Sequence, residues 1–474
     1  MEAVTVGLDI GTTSIKAVAV DSSGQVLRRA RIRHQVIVPE PHLMEHDAER
    51  AWRRGPKRAL AALGDIRPAS IAVTAMVPSL TAVDRRGRPL TPGLLYGDGR
   101  ALTAAADPGG AEPAGTGAEP TGGGKEPTGS DIPTSGGEVE GFIRWTAGAA
   151  PDAHGYWPAQ AVANTALGAR PAVDFAVAFI ASPVYGDSGW DADICASCGI
   201  SPDQLPEVEL PGAPIGRLNG RADGPAITAG TVDVWCEQMV AGAAEVGDVH
   251  VICGTTLIVW AVDRADRGPV HPAIWTVPHA LPGHRMVGGA SNAGGLFLDW
   301  VNRTVGRATG ADLDPSNVPV WVPYPRGERT PYHDPGRRAA LHDLDLTHGP
   351  DAIRRAAWEA SAFVVRHHLD LGRVPARRII ATGGGTKVDG WMQAMADATG
   401  LPVHVAAEPE GAARGAAFLA RLAAGLDTDV NEAARWASTR SVVEPRRPWA
   451  DAAAERYQRF LDLSGPPDRP QEAE

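Results

Sequence analysis

Cysteine is scarce: Cys195, Cys198, Cys236 and Cys253 are the only four in 474 residues. So few thiols exclude a disulfide-built scaffold and fit a reducing compartment. Only Cys195-Ala-Ser-Cys198 has metal-like spacing, and no second pair stands nearby to complete a tetrahedral zinc site, so a structural role is expected for it. Long apolar runs are also missing. No stretch approaches the roughly 18 uncharged apolar residues that a membrane helix needs. The N-terminus, Met-Glu-Ala-Val-Thr-Val-Gly, lacks the basic region and apolar run of a signal peptide. Positive charge is in deficit, with a formal net charge of −11. That argues against a general nucleic-acid binder, because phosphate backbones select basic surfaces. It leaves room for a local phosphate site, since backbone N–H groups and one metal ion can supply the positive potential. A soluble, cytoplasmic protein is expected, with neither nucleic acid nor membrane as partner.

Glycine and proline are abundant, at 55 and 40 residues, which predicts many turns. The length allows two or three domains, each with its own core. Residues 3–31 read as a β-meander, with strands from Val4 to Leu8 and Ile15 to Val20 and a third through Val26 and Leu27. Val73 to Val83, followed by Asp84-Arg85-Arg86-Gly87, reads as another strand and hairpin. Residues 104–138 hold almost nothing to bury and are expected to be a flexible insert. Gly122-Gly123-Gly124-Lys125 within it is no P-loop: the earlier glycine, the following Ser or Thr and the preceding strand are absent. Asp351 to Leu371 shows the spacing of a helix, and His367 and His368 near its end suggest a favourable dipole interaction rather than a metal. Arg378 to Ala381 reads as a strand, Gly411 to Ala424 as a helix, and the chain beyond about Leu463 as a polar tail.

An internal echo organises the rest. Asp9-Ile-Gly11-Thr12-Thr13-Ser-Ile-Lys16-Ala-Val-Ala-Val-Asp21 resembles Ile252-Cys-Gly254-Thr255-Thr256-Leu-Ile-Val-Trp-Ala-Val-Asp263. Each copy is a strand, a Gly-Thr-Thr turn and a second strand. Glycine lets the backbone approach an anion closely, successive turn amides can point into one concavity, and threonine hydroxyls add short donors. Two such turns suit a polyphosphate and a reaction governed by positioning and charge neutralisation. Only the first copy carries a carboxylate, Asp9, at the end of its strand. One carboxylate with phosphate oxygens is a usual setting for Mg²⁺, and Lys16 adds a cation.

Several segments then match one family. Asp9 to Lys16 resembles the first phosphate motif of the sugar kinase, heat-shock ATPase and actin superfamily. Gly327-Glu328-Arg329-Thr330-Pro331, followed by His333-Asp334-Pro335, is similar to a signature of the FGGY carbohydrate kinases and is far more specific. Thr382-Gly383-Gly384-Gly385-Thr386-Lys387 resembles that family's adenosine segment, and Tyr96-Gly-Asp98-Gly-Arg100 its Trp-x-Asp-x-Arg loop. The likeness spans nearly the whole chain except the insert and the stretch to about residue 200, and is strongest to xylulokinase-like members.

This resemblance implies an α/β fold of two ribonuclease-H-like domains, of the actin and hexokinase type, with ATP in an interdomain cleft. The expected division is an N-terminal domain of residues 1–223 on the substrate side, a C-terminal domain of residues 224–464 on the nucleotide side, and a tail of residues 465–474. Carried over by position, Asp9 would hold Mg²⁺ through water, and Thr12, Thr13 and Lys16 would meet the terminal phosphates. Gly254, Thr255 and Thr256 match the second phosphate loop, Gly384 and Gly385 the surface against adenine, and Asp389 a polar position near the base. Asp98 and Arg100 match the substrate loop. Asp233 matches the catalytic base, which a sugar hydroxyl requires because it is a poor nucleophile. The resemblance also carries a homodimer as an expected partner state.

The pattern departs from the family in one place. Relatives usually carry a Gly-Gln-Met-His-Gly type of segment where this chain reads Ala75-Met76-Val77-Pro78-Ser79. Met76, Val77 and Pro78 thus put apolar groups where sugar hydroxyls ordinarily find partners, and unpaired buried polar groups are costly. Val234-Trp235-Cys236-Glu237 after the base is atypical as well. Trp145, Trp157, Tyr185 and Trp190 are candidates for a stacking face, with core packing the plainer role for each. Phosphorylation of a pentulose-like sugar or polyol is the expected function. The alternative class is a catalytically impaired nucleotide-binding relative with a regulatory role, against which the retention of Asp9, Asp233 and both turns argues. A chaperone-like ATPase fits less well, since no peptide-binding domain follows.

Overall fold

The computed structural model describes residues 3–40, 43–101, 136–279, 283–310, 312–334, 336–408 and 410–467. The chain divides into two compact units, Met1–Glu237 with Ala412–Val430, and Gln238–Gly411 with Asn431–Glu474. The sequence places the division at residues 223 and 224, and the difference has a physical origin. The strand Ala226–Thr228 adds to the first sheet in parallel with Ser70–Ala75. The segment from Ala412 onward packs there too: Thr5 Oγ1 donates to Ala417 O at 2.9 Å, and Ser70 Oγ donates to Ala420 O.

In the first unit the expected meander forms as β1 (Thr5–Ile10), β2 (Ser14–Val20) and β3 (Val26–Arg33). Every residue of β1 is buried because it is central. The outer strand β3 instead carries Arg28, Arg29, Arg31 and Arg33, charges that discourage pairing at a sheet edge. The apolar run from Val73 to Val83 is two strands rather than one. β4 (Ser70–Ala75) lies parallel to β1, whereas β5 (Ser79–Val83) belongs to a separate four-stranded sheet. Pairing stops at Met76-Val77-Pro78, where Pro78 has no N–H to give. With β6 (Pro214–Arg217) and β7 (Ala226–Thr228), the main sheet has the order β6-β7-β4-β1-β2-β3. Val6, Leu8, Ile10, Trp52, Val73 and Leu95 form part of its core.

The second unit repeats this plan. Its strands are β8 (Asp248–Cys253), β9 (Leu257–Arg264), β10 (Trp275–Pro278), β11 (His284–Ser291), β12 (Arg378–Thr382), β13 (Val403–Ala406) and β14 (Thr439–Val443), in the order β10-β11-β9-β8-β12-β13-β14. In both sheets a hairpin continues antiparallel on one side and parallel on the other: β3-β2-β1-β4-β7 corresponds to β11-β9-β8-β12-β13. The echo in the sequence is therefore a repeat of topology, and each unit is ribonuclease-H-like. The turns are not identical. Ile10 pairs with Ile15, but Cys253 pairs with Leu257, so the second bend is one residue tighter.

The expected helices occur as Pro350–Gly372 and Gly411–Ala423, and the last helix runs Arg447–Ser464. His367 and His368 are not the charged dipole partners near the helix end that the sequence suggested. Both rings are buried, and burial pushes His367 down to about 3 and His368 to about 4, so both are neutral at pH 7. His368 Nδ1 contacts Val364 O at 2.8 Å and Nε2 lies 2.9 Å from Thr330 Oγ1. Of the expected insert, residues 104–135, including Gly122–Lys125, lie outside the described residues, while residues 136–138 begin the helix Gly136–Ala149. Of the expected tail, residues 468–474 lie outside them as well. All four cysteines are buried, and none of them is disulfide-bonded. Among the described residues no helix is long and apolar enough to cross a membrane.

Candidate active site

The parallel strands β1, β4 and β7 point the same way, so residues leaving their C-terminal ends gather at one edge of the first sheet. Asp9 is buried opposite Thr74 on β4 and opposite Lys16 on β2. Lys16 Nζ lies 3.1 Å from Asp9 Oδ2, and that carboxylate, with smaller help from Glu237 and Asp233, holds the ammonium well above its usual range. Beyond Asp9 the first turn closes with Gly11 N–H on Ser14 O at 3.1 Å. His46 fixes its backbone. Trp52 Nε1–H donates to His46 Nδ1 at 3.0 Å, which leaves Nε2–H to donate to Thr12 O at 2.8 Å. Burial keeps this imidazole neutral, down at about 4. Thr12 Oγ1 shares a 2.9 Å hydrogen bond with Tyr96 OH, and Thr13 stands exposed.

Asp233 reaches the same edge through a pinned segment. Thr74 Oγ1 donates to Thr231 O at 2.6 Å, Val232 bridges Ala75, and a Cβ on Gly230 would sit 1.3 Å from Val73 O, so only glycine fits there. Asp233 then opens the helix Asp233–Ala241, its Oδ1 accepting from Val234 N–H at 2.8 Å. Burial pushes its carboxyl up to about 7. Asp9, and Glu237 one helical turn onward, act in the same direction, while the Val234 N–H and Lys16 oppose. A carboxyl poised near neutrality at the start of a helix beside the sheet edge is suited to general base work.

Asp98 and Arg100 are brought together and bound mainly to each other. Arg100 Nε donates to Asp98 Oδ1 at 2.8 Å, and its other arm reaches Asp98 Oδ2 at 2.6 Å and Glu45 Oε2 at 2.7 Å. The guanidinium also lies 4.7 Å from the Trp145 ring centre. Val77 and Pro78 line an apolar cavity of about 40 Å³ with Leu80, Ile143, Val177 and Trp190. Two polar side chains on its wall are already engaged: Ser79 Oγ accepts from Ala159 N, and Tyr156 OH donates to Ala150 O. Trp157 is a core residue, and Tyr185 packs edge-on against Trp190.

In the second unit β8 and β12 run parallel with Ile252 opposite Thr382, so the second Gly-Thr-Thr turn and the Gly383–Lys387 segment leave the same sheet edge. Gly254 N–H closes on Thr256 O at 3.1 Å, and Gly254 O and Thr255 O accept from Gly295 and Leu296 at 2.8 and 3.0 Å. Thr255 is exposed. Gly384 is exposed with open space beside it, and Asp389 is the exposed first residue of the helix Asp389–Thr399. Ile252 occupies the place of Asp9, so this turn carries no carboxylate of its own.

Residues 4–107 match the N-terminal domain and residues 249–424 the C-terminal domain of the FGGY family of carbohydrate kinases. The chain belongs to that family. FGGY carbohydrate kinases are phosphotransferases that bind ATP. The xylulose kinase of Escherichia coli strain K12 is 24% identical over 90% of this chain and 91% of that protein. A glycerol kinase of Cereibacter sphaeroides is 27% identical over 93% and 94%. A solved xyloylose kinase from Brucella ovis has a TM-score of 0.80 at 22% identity, covering 97% of this chain and 98% of that one. Relatives of similar identity thus carry different acceptor names.

Several residues of this FGGY kinase join these sites without a motif to announce them. Glu237 had a readable signal, since residues four apart share a helix face with Asp233. His46, Glu45 and Gln160 had none. Gln160 is buried with Nε2 on Ala75 O at 3.3 Å, while its Oε1 has no hydrogen-bond partner.

Proposed function

We propose that this FGGY kinase transfers the γ-phosphoryl group of ATP to a hydroxyl of a pentulose-like sugar or polyol, with Asp233 as the base. The acceptor oxygen forms a bond to the γ-phosphorus as the bond to the β,γ-bridging oxygen breaks. ADP departs, and the hydroxyl proton passes to Asp233. The observation that carries this reading is the pairing of a buried, cation-bound Asp9 with an Asp233 poised at about 7 at one sheet edge. Thr12, Thr13 and Lys16 from the first turn, and Gly254, Thr255 and Thr256 from the second, are the phosphate-binding groups. Gly384, Gly385 and Asp389 receive the adenosine.

Mg²⁺ suits the donors present. Among the described residues no three His, Cys, Asp or Glu side chains form a ready cage, but Mg²⁺ needs only one or two carboxylates beside water and phosphate oxygens. Asp9 would hold it, and the bound ion would neutralise phosphate charge.

Asp98 and Arg100 shape the acceptor side, and Met76, Val77 and Pro78 give it an apolar wall. The unpaired Gln160 Oε1 is the kind of buried acceptor that a substrate hydroxyl satisfies. An ATP-consumption screen across pentuloses, hexuloses, polyols and aldonic acids with Mg²⁺ tests the reading. Pentuloses are expected to stimulate ADP release most. Silence across the panel with ATP binding intact would favour the regulatory alternative.

A further inference from the structure

The Gly327–Thr330 segment is packed against the loop that backs the second Gly-Thr-Thr turn. Glu328 is buried, and its carboxyl oxygens accept hydrogen bonds from Ser291 Oγ at 2.8 Å, Asn292 N at 3.2 Å and Arg329 N at 2.7 Å. Around it, Asn292 Nδ2 donates to Gly327 O at 2.9 Å, and Thr330 N–H donates to Ala290 O at 3.2 Å, with Thr330 Oγ1 3.0 Å from the same oxygen. These contacts stitch the segment to the end of β11 and to the loop that follows it.

That loop grips the turn directly. Ser291 pairs with Leu257, the first residue after the turn. Ser291 Oγ also accepts from Ala293 N–H at 3.0 Å, which sets the path into the helix Gly295–Thr304. The first two N–H groups of that helix are the ones bound to Gly254 O and Thr255 O. A Cβ on Gly294 would lie 2.4 Å from Thr256 C, so loop and turn are in close backbone contact. The path from carboxylate to turn therefore runs by hydrogen bonds through Ser291 to Ala293, then along the backbone to Gly295 and Leu296, whose N–H groups meet the turn.

We infer that Glu328 is a positioning residue for nucleotide phosphates: it holds Ser291 and Asn292 so that the turn Gly254–Thr256 keeps its phosphate-binding shape. This rests on the reading of that turn as a phosphate site. Glu328 itself touches no nucleotide. A preformed loop spends less of its binding energy on ordering, so loosening it is felt in the phosphate contacts and not in those to adenosine.

The test measures MgATP and AMP binding to the full chain by calorimetry, which needs no acceptor. Glu328→Gln keeps the shape and replaces one accepting oxygen with an N–H donor, so the side chain can no longer accept from all three donors through two oxygens. Ser291→Ala removes one of those donors and serves where the first variant does not fold. Thr255→Ala probes the turn itself. Thr255→Ala and Glu328→Gln, or Ser291→Ala in its place, are each expected to weaken MgATP by about tenfold while AMP changes less than twofold. If Thr255→Ala weakens MgATP but neither Glu328→Gln nor Ser291→Ala does, the positioning role is overturned and the turn remains a phosphate site. Equal losses for ATP and AMP would also overturn it, because they mark a general structural defect. If Thr255→Ala has no effect, the phosphate reading of the turn fails and the inference falls with it.

Discussion

Lys16 stands directly across the hairpin from Asp9, with Nζ 3.1 Å from Oδ2, so the cation of the first turn is bound to its carboxylate before any ligand arrives. This pair sets the field in which Asp233 works: Asp9 pushes the Asp233 proton on, and Lys16 pulls it off. Because burial is the larger effect, the carboxyl ends near 7 rather than in the ordinary range near 3.9.

The first prediction concerns Asp233. A base must be ionised to accept a proton, so kcat/KM should fall as pH drops through about 7 and level off above it. Asp233→Asn should lower kcat by about 10²–10⁴-fold with MgATP binding intact. Stability should move the other way. The folded carboxyl titrates above its unfolded value, so the unfolded state gains as pH rises from about 4 to about 7. Asn removes that penalty, and thermal melts at pH 8 should show the variant a few degrees more stable, roughly. A flat pH profile with near-normal turnover in the variant would remove Asp233 from the mechanism.

The second prediction separates the neighbours of Asp233 by sign. Glu237→Gln removes a like charge and should shift the acid limb of the profile to lower pH. Lys16→Met removes an opposing cation and should shift it to higher pH. The two shifts are read from kcat/KM profiles at constant ionic strength. Shifts in the same direction would contradict the arrangement.

Much of this was legible beforehand, for reasons that differ between elements. The two hairpins announce themselves because β-branched strands and a Gly-Thr-Thr bend are local chemistry, and both hairpins form where expected. The run from Val73 to Val83 misleads because burial in two different sheets produces the same apolar pattern as burial in one. The division of the chain was unreadable for a similar reason. Ala412–Val430 joins the first unit through Thr5 and Ser70, contacts spanning hundreds of residues. Of the site, Asp9 and Lys16 follow from strand register, whereas His46 on Thr12 and Glu328 on Ser291 are long-range bonds that no spacing foretells.

A third prediction follows from the burial of Asp98 beneath Arg100. Arg100 is the partner of both Asp98 and Glu45, whose side chains are 0% and 13% exposed. Arg100→Met would leave two carboxylates without their counter-charge, at a cost of about 3–5 kcal/mol. Chemical denaturation should show that loss directly. A change under about 1 kcal/mol would mean that the ion pair contributes little to the fold.

The fourth prediction compares two adjacent glycines of the proposed adenosine segment. A Cβ at Gly385 would lie 2.2 Å from Trp391 Cζ3 and 2.9 Å from Cys253 O, the latter a backbone atom that cannot step aside. Gly385→Ala therefore overpacks the second core and should cost about 1–3 kcal/mol of stability. At Gly384 the added methyl meets nothing within 4 Å, so Gly384→Ala should leave the melting temperature unchanged. Its methyl would nevertheless stand on the exposed face proposed to receive adenine, and MgATP affinity should fall roughly tenfold. Thermal melts and calorimetric titration of both variants separate the two effects: stability falls at Gly385, and nucleotide affinity alone at Gly384. Full affinity in a well-folded Gly384→Ala protein would place the adenine elsewhere, because a flat surface cannot accept a methyl group and a purine ring in the same space.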